Sequence, residues 1–470
     1  MIVNKQKSLG QYFTPIALAE DIVHSSKTFF PAHPSILEPA YGQGVFLRAL
    51  KNEDVNYCDF LGVEIDCSLN NTASKHLINA DFTKLQPLCQ YDVVITNPPY
   101  TRHHLIDKEN KINMLTTIER DTQIKLSGLS GMHCYFMLLS DKWLKKNGIG
   151  VWLLPAEFLD VNYGEQIKKY LINNVQLLQI HLYDTNTASL FPEATVSSCV
   201  VVYRKKACYE KTHGVSFTFG KSMSNPTTIN TIPAEELIEK DKWSVYFKEK
   251  EHRKKNSQGA KLSDFFDVKR GIATGFNSFF ILSKEKVAQL GLPFECFTPI
   301  VENTKSLSSS IIEYDSFGNP LSLDRYVLNT DLSIEQIETQ YPNLYLYLQH
   351  GIEIGALDRY IIKNRKVWYK QEDRQPAPFL CTYISRNNTT GMRFIWNKGT
   401  AIATNNFLML YPKNCLYKAI KESKVSLEEI FKRLSSIDAD TLYTQSRDYA
   451  TGLKKFEPSE LGNVAIDLAI

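Results

Sequence analysis

Asn97-Pro98-Pro99-Tyr100 follows the apolar run Val93-Val94-Ile95-Thr96. Consecutive prolines end a strand and remove two backbone donors. The carbonyls of Asn97 and Pro98 are left without a strand partner, and the Asn97 side chain adds a carbonyl of its own. The loop thus offers converging acceptors to one NH2 group, with Tyr100 as a flat face beside them. An exocyclic aromatic amine is a poor nucleophile because its lone pair is delocalised into the ring. Acceptors on both N–H bonds favour a pyramidal nitrogen, localise the lone pair and aim it at an electrophile. Positioning and oriented dipoles then supply most of the acceleration. The chemistry calls for neither a metal nor a covalent nucleophile. The bland alternative is a proline turn with an exposed tyrosine. His103 and His104, just beyond the loop, are expected at the surface.

A second group of residues suits a cationic ligand. Ile36-Leu37-Glu38 leads into Pro39-Ala40-Tyr41-Gly42-Gln43-Gly44, a strand followed by a tight glycine turn and a helix start. Gly42 and Gly44 let the backbone turn sharply and let a ligand approach closely. The dinucleotide pattern is incomplete, because Leu47 stands where its third small residue would be. Glu38 would repel a pyrophosphate, yet it suits the amino-acid portion of S-adenosylmethionine. Glu64 ends the next strand in Gly62-Val63-Glu64, where a carboxylate can hold both hydroxyls of a ribose. In Ala80-Asp81-Phe82, Asp81 is placed to accept from an adenine amino group and Phe82 to lie on the ring. Each acid alone reads more readily as a structural turn or cap; the ordered set of strand-end acids points to the cofactor.

These groups need a scaffold that brings strand ends together. Apolar runs at 35–38, 60–64, 91–96, 150–154, 177–182 and 196–203 alternate with helical patterns. That alternation predicts a doubly wound, Rossmann-like α/β domain with a parallel sheet covered on both faces. Ligands of such sheets bind beyond the carboxyl ends of the strands. From Phe265 the texture changes to shorter strands with more Tyr, Asn and Ser, which predicts a mixed, β-rich second domain. The expected division is 1–245 and 246–470. At 470 residues, two or three domains of about 150 residues are expected.

With 43% hydrophobic and 22% charged residues, the composition excludes a disordered chain, a fibre or a coiled-coil rod. The net charge of +3 is too small to argue for a nucleic-acid partner by itself. Nine cysteines without a C-x-x-C pair argue against a zinc ribbon or a disulfide framework and for a reducing, cytoplasmic setting. No apolar stretch is long enough for a bilayer. Within 361–400 the charge is uneven. Lys363, Arg365, Lys366, Lys370, Arg374, Arg386, Arg393 and Lys398 stand against Glu372 and Asp373, interleaved with Trp368, Tyr369, Phe379, Tyr383, Phe394 and Trp396. Bases among aromatics suit phosphate contacts with stacking, or else form a solvated β surface over core aromatics.

With these residues in view, the first half resembles the S-adenosylmethionine-dependent DNA adenine-N6 methyltransferases of the gamma class, and is similar to the TaqI methyltransferase group. Gly10-Gln11-Tyr12-Phe13-Thr14-Pro15 matches the N-terminal cofactor motif, Glu38 to Gly44 the glycine loop, Glu64 and Asp81-Phe82 the next cofactor positions, and Asn97-Pro98-Pro99-Tyr100 the catalytic motif. Leu190-Phe191-Pro192, ahead of the apolar run 196–203, matches the position of an aromatic that stacks on an extruded adenine. The resemblance implies that Tyr100 and Phe191 sandwich the base, while the Asn97 side chain and the Pro98 carbonyl hold its amino group. Thr14, Glu38, Pro39, Ala40, Tyr41, Glu64, Asp81, Phe82 and Pro99 would line the cofactor pocket. Tyr41 departs from the pattern, since relatives often carry a smaller residue there.

In the second half, Asp267 to Asn277, Thr382 to Asn388 and Thr404 to Phe407 resemble segments of target-recognition domains. Arg and Asn read guanine and adenine edges in pairs of hydrogen bonds, which makes Arg270, Thr274, Asn277, Arg386, Asn387 and Asn405 the expected DNA contacts. The implied partner is double-stranded DNA, with a cognate restriction endonuclease acting in the same system and the enzyme itself a monomer. A duplex base must be rotated out to be modified, at a cost of roughly a few kcal/mol. Two rivals stand beside this expectation: a protein-glutamine or ribosomal-RNA amino methyltransferase sharing the Asn-Pro-Pro-Tyr loop, and a non-catalytic DNA-recognition subunit.

Overall fold

The computed structural model describes residues 12–69, 77–87, 89–101, 103–184, 197–206, 214–247, 259–307, 309–316, 318–385, 392–449 and 453–468. The chain divides into two compact units, Met1–Lys254 with Tyr449–Gly452, and Lys255–Asp448 with Leu453–Ile470.

The first unit is built on a nine-stranded sheet. Its strands are β1 (Ser35–Glu38), β2 (Asp59–Glu64), β3 (Leu77–Asn79), β4 (Tyr91–Thr96), β5 (Leu144–Pro155), β6 (Val175–Tyr183), β7 (Ser198–Lys205), β8 (Gly214–Gly220) and β9 (Thr228–Pro233). The order is β3-β2-β1-β4-β5-β7-β6-β8-β9. The run from β3 to β5 is parallel, as the α/β alternation predicts. Beyond β5 the sheet departs from the expected parallel arrangement: β7 runs antiparallel to both β5 and β6. Antiparallel neighbours need no crossover helix, and β6 and β7 are apolar enough to have read as more of the same.

Helices cover both faces: α1 (Ile16–Ser26), α2 (Val45–Asn52), α3 (Lys108–Thr122), α4 (Met132–Leu139) and α5 (Glu165–Asn173). Successive strand residues point to opposite faces. Val93 and Ile95 pack with Ile22, Phe46 and Leu50 of α1 and α2. Val94, between them, packs with Met114, Ile118 and Tyr135 of α3 and α4. Val93, Val94 and Ile95 are all fully buried, as a central strand sandwiched between helix layers requires. In α2, the stripe Val45, Phe46, Ala49 and Leu50 is the buried face.

The second unit holds a five-stranded sheet in the order β10-β19-β15-β17-β13, a four-stranded sheet β11-β14-β12-β18 and a three-stranded sheet β16-β21-β20. Those strands are β10 (Phe266–Arg270), β11 (Ile281–Ser283), β12 (Phe297–Val301), β13 (Ile311–Ile312), β14 (Arg325–Leu328), β15 (Phe379–Thr382), β16 (Ile384–Ser385), β17 (Phe394–Asn397), β18 (Ile402–Ala403), β19 (Phe407–Pro412), β20 (Arg447–Tyr449) and β21 (Leu453–Lys455). The longer helices among them are α6 (Ile334–Gln340), α7 (Pro342–Glu353), α8 (Asn414–Lys421) and α9 (Leu427–Ser435). The unit is mixed and β-rich, as its texture predicts.

Candidate active site

Because β2, β1 and β4 are parallel neighbours, Glu64, Glu38 and Asn97 emerge at one edge of the sheet. The chain order reverses between β1 and β4, the switch point where open α/β sheets bind ligands. A cavity of about 250 Å³ lies there. Thr14, Glu38, Pro39, Ala40 and Tyr41 line it, with Glu64, Asp81 and Phe82 from the next two strand ends and Asn97, Pro98 and Pro99 from the loop after β4. The sequence reading missed Met114 of α3 and Met132 and Phe136 of α4, which close the cavity from the helical side. Met114 lies on the narrow apolar stripe of a polar helix, and Met132 and Phe136 lie in an apolar one, so nothing in their spacing distinguishes them from core residues.

The cavity holds a buried carboxylate awaiting a partner. Glu38 is 1% exposed, and its Oε2 has no hydrogen-bond partner among the described residues. Burial, with the charge of Glu64, holds its carboxyl well above the usual range. Glu64 is better provided: its two oxygens accept from the Gly42 and Asp66 amides, each at 2.8 Å. A carboxylate oxygen has more than one acceptor direction, so Glu64 keeps capacity for ligand hydroxyls. Asp81 caps the turn after it, accepting from the Thr83 amide at 3.0 Å and the Thr83 hydroxyl at 2.6 Å. It therefore serves as a cap while still lining the cavity. Phe82 is fixed against Phe136 and Trp143, each ring 5.3 Å away.

Tyr41 is accommodated by two glycines. A Cβ at Gly44 would lie 2.3 Å from the Tyr41 hydroxyl, and one at Gly62 would lie 2.6 Å from its ring. Gly44 also has φ +70°, a conformation that favours glycine. The larger side chain thus lies over glycines at the turn and on β2.

The reactive loop is oriented from the N-terminal segment. The Asn97 side-chain amide donates to the Tyr12 carbonyl and the Thr14 hydroxyl, both at 3.0 Å. A backbone carbonyl can only accept, so the amide nitrogen must face Tyr12 and Oδ1 must face away. That Oδ1 is buried and has no partner among the described residues. The Tyr100 hydroxyl donates to the Leu153 carbonyl at 3.3 Å, and its ring lies 5.4 Å from Tyr12. His104 is exposed and His103 partly so. Phe191 lies outside the described residues.

In the second unit, two segments picked out by sequence lie side by side. The Gly271 amide donates to the Phe407 carbonyl and the Asn405 amide to the Ile272 carbonyl. Arg270 lies over the ring of Tyr383 at 4.2 Å and donates to the Asn405 carbonyl at 3.4 Å. Asn277 is exposed. Thr274 differs from expectation: it is 1% exposed and its hydroxyl donates to Asn277, so it shapes the loop instead of presenting a polar group outward. Arg365, absent from the expected contacts, donates to the Ala273 and Thr274 carbonyls at 2.8 and 3.0 Å and braces the same loop. Arg386 and Asn387 lie outside the described residues.

Comparison with known proteins now adds to the geometry. The family described as Eco57I restriction-modification methylase matches residues 46–191, and the one described as type II methyltransferase M.Eco57I, C-terminal domain, matches 240–469. The chain belongs to the type II restriction–modification methyltransferases. Among its relatives is type II methyltransferase M.AccI of Acinetobacter calcoaceticus, 27% identical over 99% of this chain and 86% of that one. Another is M.XamI of Xanthomonas campestris pv. amaranthicola, 27% identical over 97% and 85%. The fold is similar to that of the type IIL restriction-modification enzyme MmeI, with a TM-score of 0.58 at 13% identity, covering 88% of this chain and 64% of that one. The methyltransferase works on DNA, and its cofactor is S-adenosyl-L-methionine. The cavity fits that cofactor: the orphaned oxygen of Glu38 suits its ammonium, and Glu64 its ribose. Among the described residues, no helix is long and apolar enough to cross a membrane.

Proposed function

We propose that the enzyme is a site-specific DNA adenine-N6 methyltransferase, the modification partner of a cognate restriction endonuclease, working in the cytoplasm on a base rotated out of the duplex. One observation carries this reading: the buried Oδ1 of Asn97, turned away from Tyr12 and Thr14 by the bonds of its own amide, with no partner among the described residues. It matches an amino group that must be gripped by its hydrogens.

In this reading Glu38 accepts from the cofactor ammonium, Glu64 from the ribose hydroxyls, and Asp81 and Phe82 face its adenine. Thr14, Pro39, Ala40, Tyr41 and Pro99 complete the wall. When bound, the cofactor supplies an electrophilic methyl group on a cationic sulfur. Asn97 Oδ1 and the Pro98 carbonyl accept the two N–H bonds of the target amino group and hold its lone pair in line. The Tyr100 ring supports one face of the base and Phe191 the other. Once alkylated, the nitrogen is far more acidic, and its proton leaves to a weak acceptor or to water. The second unit, with the functional boundary at 245/246, supplies sequence recognition through Arg270, Asn277 and Asn405, with Arg386 and Asn387 as further contacts and Thr274 in support.

The test is methyl transfer from labelled cofactor to duplex DNA, with release factor and ribosomal RNA as parallel acceptors, followed by single-molecule sequencing of DNA from expressing cells. N6-methyladenine in one sequence context is the expected result. Labelling of protein or RNA alone, or of a different base, would overturn the reading.

A further inference from the structure

Next to the reactive loop is a buried polar side chain that the chemistry above does not use. His133 sits in the first turn of α4, 5% exposed, and neither of its ring nitrogens has a hydrogen-bond partner among the described residues. Leaving a buried polar group so costs stability, and such groups ordinarily find a partner.

Its neighbours include the tyrosine of the reactive loop. The His133 ring stands edge-on to Tyr100, with centroids 6.0 Å apart at 76°, and to Tyr163, at 6.4 Å and 65°. The start of α4 is tied to the loop's exit, because the Met132 amide donates to the Thr101 carbonyl at 2.9 Å. Ser130, just ahead of the helix, is also fully buried with its hydroxyl unpartnered. Burial lowers the imidazole pKa to about 4. The ring is therefore neutral at working pH and offers one donor and one acceptor.

We propose that His133 is a base-contact residue whose imidazole N–H hydrogen-bonds a ring nitrogen of the extruded purine. The inference rests on the adenine reading above. An adenine taken out of the duplex brings unpaired ring-nitrogen acceptors with it. Its amino hydrogens are taken by the Asn97 Oδ1 and the Pro98 carbonyl, which only accept, and the Asn97 amide is already committed to Tyr12 and Thr14, so neither residue serves those nitrogens. A neutral imidazole against Tyr100 supplies the missing donor. A site built around such a bond rejects bases that cannot complete it, because its own donor is then stranded.

The experiment uses the full chain and duplexes in which the target adenine, once located, is replaced by 1-deaza-, 3-deaza- or 7-deazaadenine. Each analogue keeps the amino group and loses one ring acceptor. One analogue should lose roughly tenfold in kcat/KM with the unaltered enzyme. His133→Phe should lose a similar factor on natural adenine and nothing further on that analogue, and His133→Gln, which keeps a donor, should regain part of the loss. Cofactor affinity should be unchanged in both variants. Losses that multiply across variant and analogue, or full activity of His133→Phe, overturn the proposal. If His133→Phe does not fold, equal rates on all three analogues with the unaltered enzyme overturn it alone. Failure of the adenine reading is seen separately, as absence of N6 methylation by the unaltered enzyme on natural DNA.

Discussion

The cofactor and loop region of the first unit and the Arg270 region of the second treat their polar groups in opposite ways. In the first, Glu38 Oε2 and Asn97 Oδ1 are buried without partners among the described residues. In the second, the polar groups are engaged with one another: Thr274 with Asn277, Arg270 with the Asn405 carbonyl, Arg365 with two carbonyls of the loop. Buried unpaired groups cost stability and are tolerated where a ligand completes them. A surface that reads a polyanion has water available until the partner arrives, so it can fix its shape through internal bonds. Under the function proposed above, the first region is preorganised for a defined small ligand, and the second for a large charged surface.

The sharpest way to break this comparison is at Asn97. Asn97→Ala should lower single-turnover methylation by about 10²–10³, the loss typical of a dipole aimed at the reacting centre, while duplex binding persists. Methylation at the unaltered rate would place the reacting amine elsewhere.

Glu38 comes next. In the cofactor-free protein its carboxyl is held well above the usual range by burial and by Glu64. A carboxyl raised on folding binds its proton more tightly in the folded chain than in the unfolded one. Its effect on stability is nil below the unfolded pKa and grows more unfavourable as pH rises toward the folded pKa. Glu38→Gln should therefore raise Tm of the cofactor-free protein at neutral and alkaline pH and leave it unchanged in acid. The same substitution should weaken cofactor binding by about 10–100-fold, the worth of a hydrogen bond between charged groups. In the unaltered enzyme, affinity should tighten as pH rises and Glu38 loses its proton, and in Glu38→Gln that dependence should flatten. Calorimetric titration across pH checks both. A variant that is neither stabilised nor weakened would remove Glu38 from the ammonium site.

Smaller effects belong to the second region. Arg270→Ala should weaken duplex binding a few-fold. If the guanidinium meets phosphate, the slope of log affinity against log salt should drop by about one; if it meets a base, the loss should fall on the cognate site. Arg365→Ala should cost up to about tenfold in discrimination between cognate and altered sites, since two loop carbonyls lose their donor, with cofactor affinity untouched. Cofactor affinity that moved with either variant would erase the distinction between the regions.

The two regions also differ in how far sequence reveals them. Glu38, Glu64 and Asn97 each stand in a short motif at the end of an apolar strand, and Asp81 follows them in order after the short strand Leu77–Asn79. A parallel sheet brings such ends to one edge whatever the loop lengths, so type and order suffice to place them. The recognition side has no such rule. That Arg270 lies over Tyr383, more than a hundred positions later, and beside Asn405 depends on antiparallel pairing of β10 with β19 and of β19 with β15. That pairing leaves no periodic trace linking the segments. Thr274, expected among the DNA contacts, illustrates the same point: the sequence shows a threonine between Ala273 and Gly275, and only the fold shows that its hydroxyl turns to Asn277.

By itself, then, the sequence determined the strand–loop motifs, the order of the acids, the proline-braced acceptor loop and the change of texture toward a β-rich second half, because these depend on local backbone rules and strand polarity. Tertiary structure alone decided that β7 enters antiparallel, that Tyr41 rests over Gly44 and Gly62, that the Asn97 amide is held by Tyr12 and Thr14, and that His133 lies against Tyr100 with no hydrogen-bond partner among the described residues. Each of these is a contact between segments distant in the chain, set by how side chains fill space once the sheet has closed, and no local pattern encodes that.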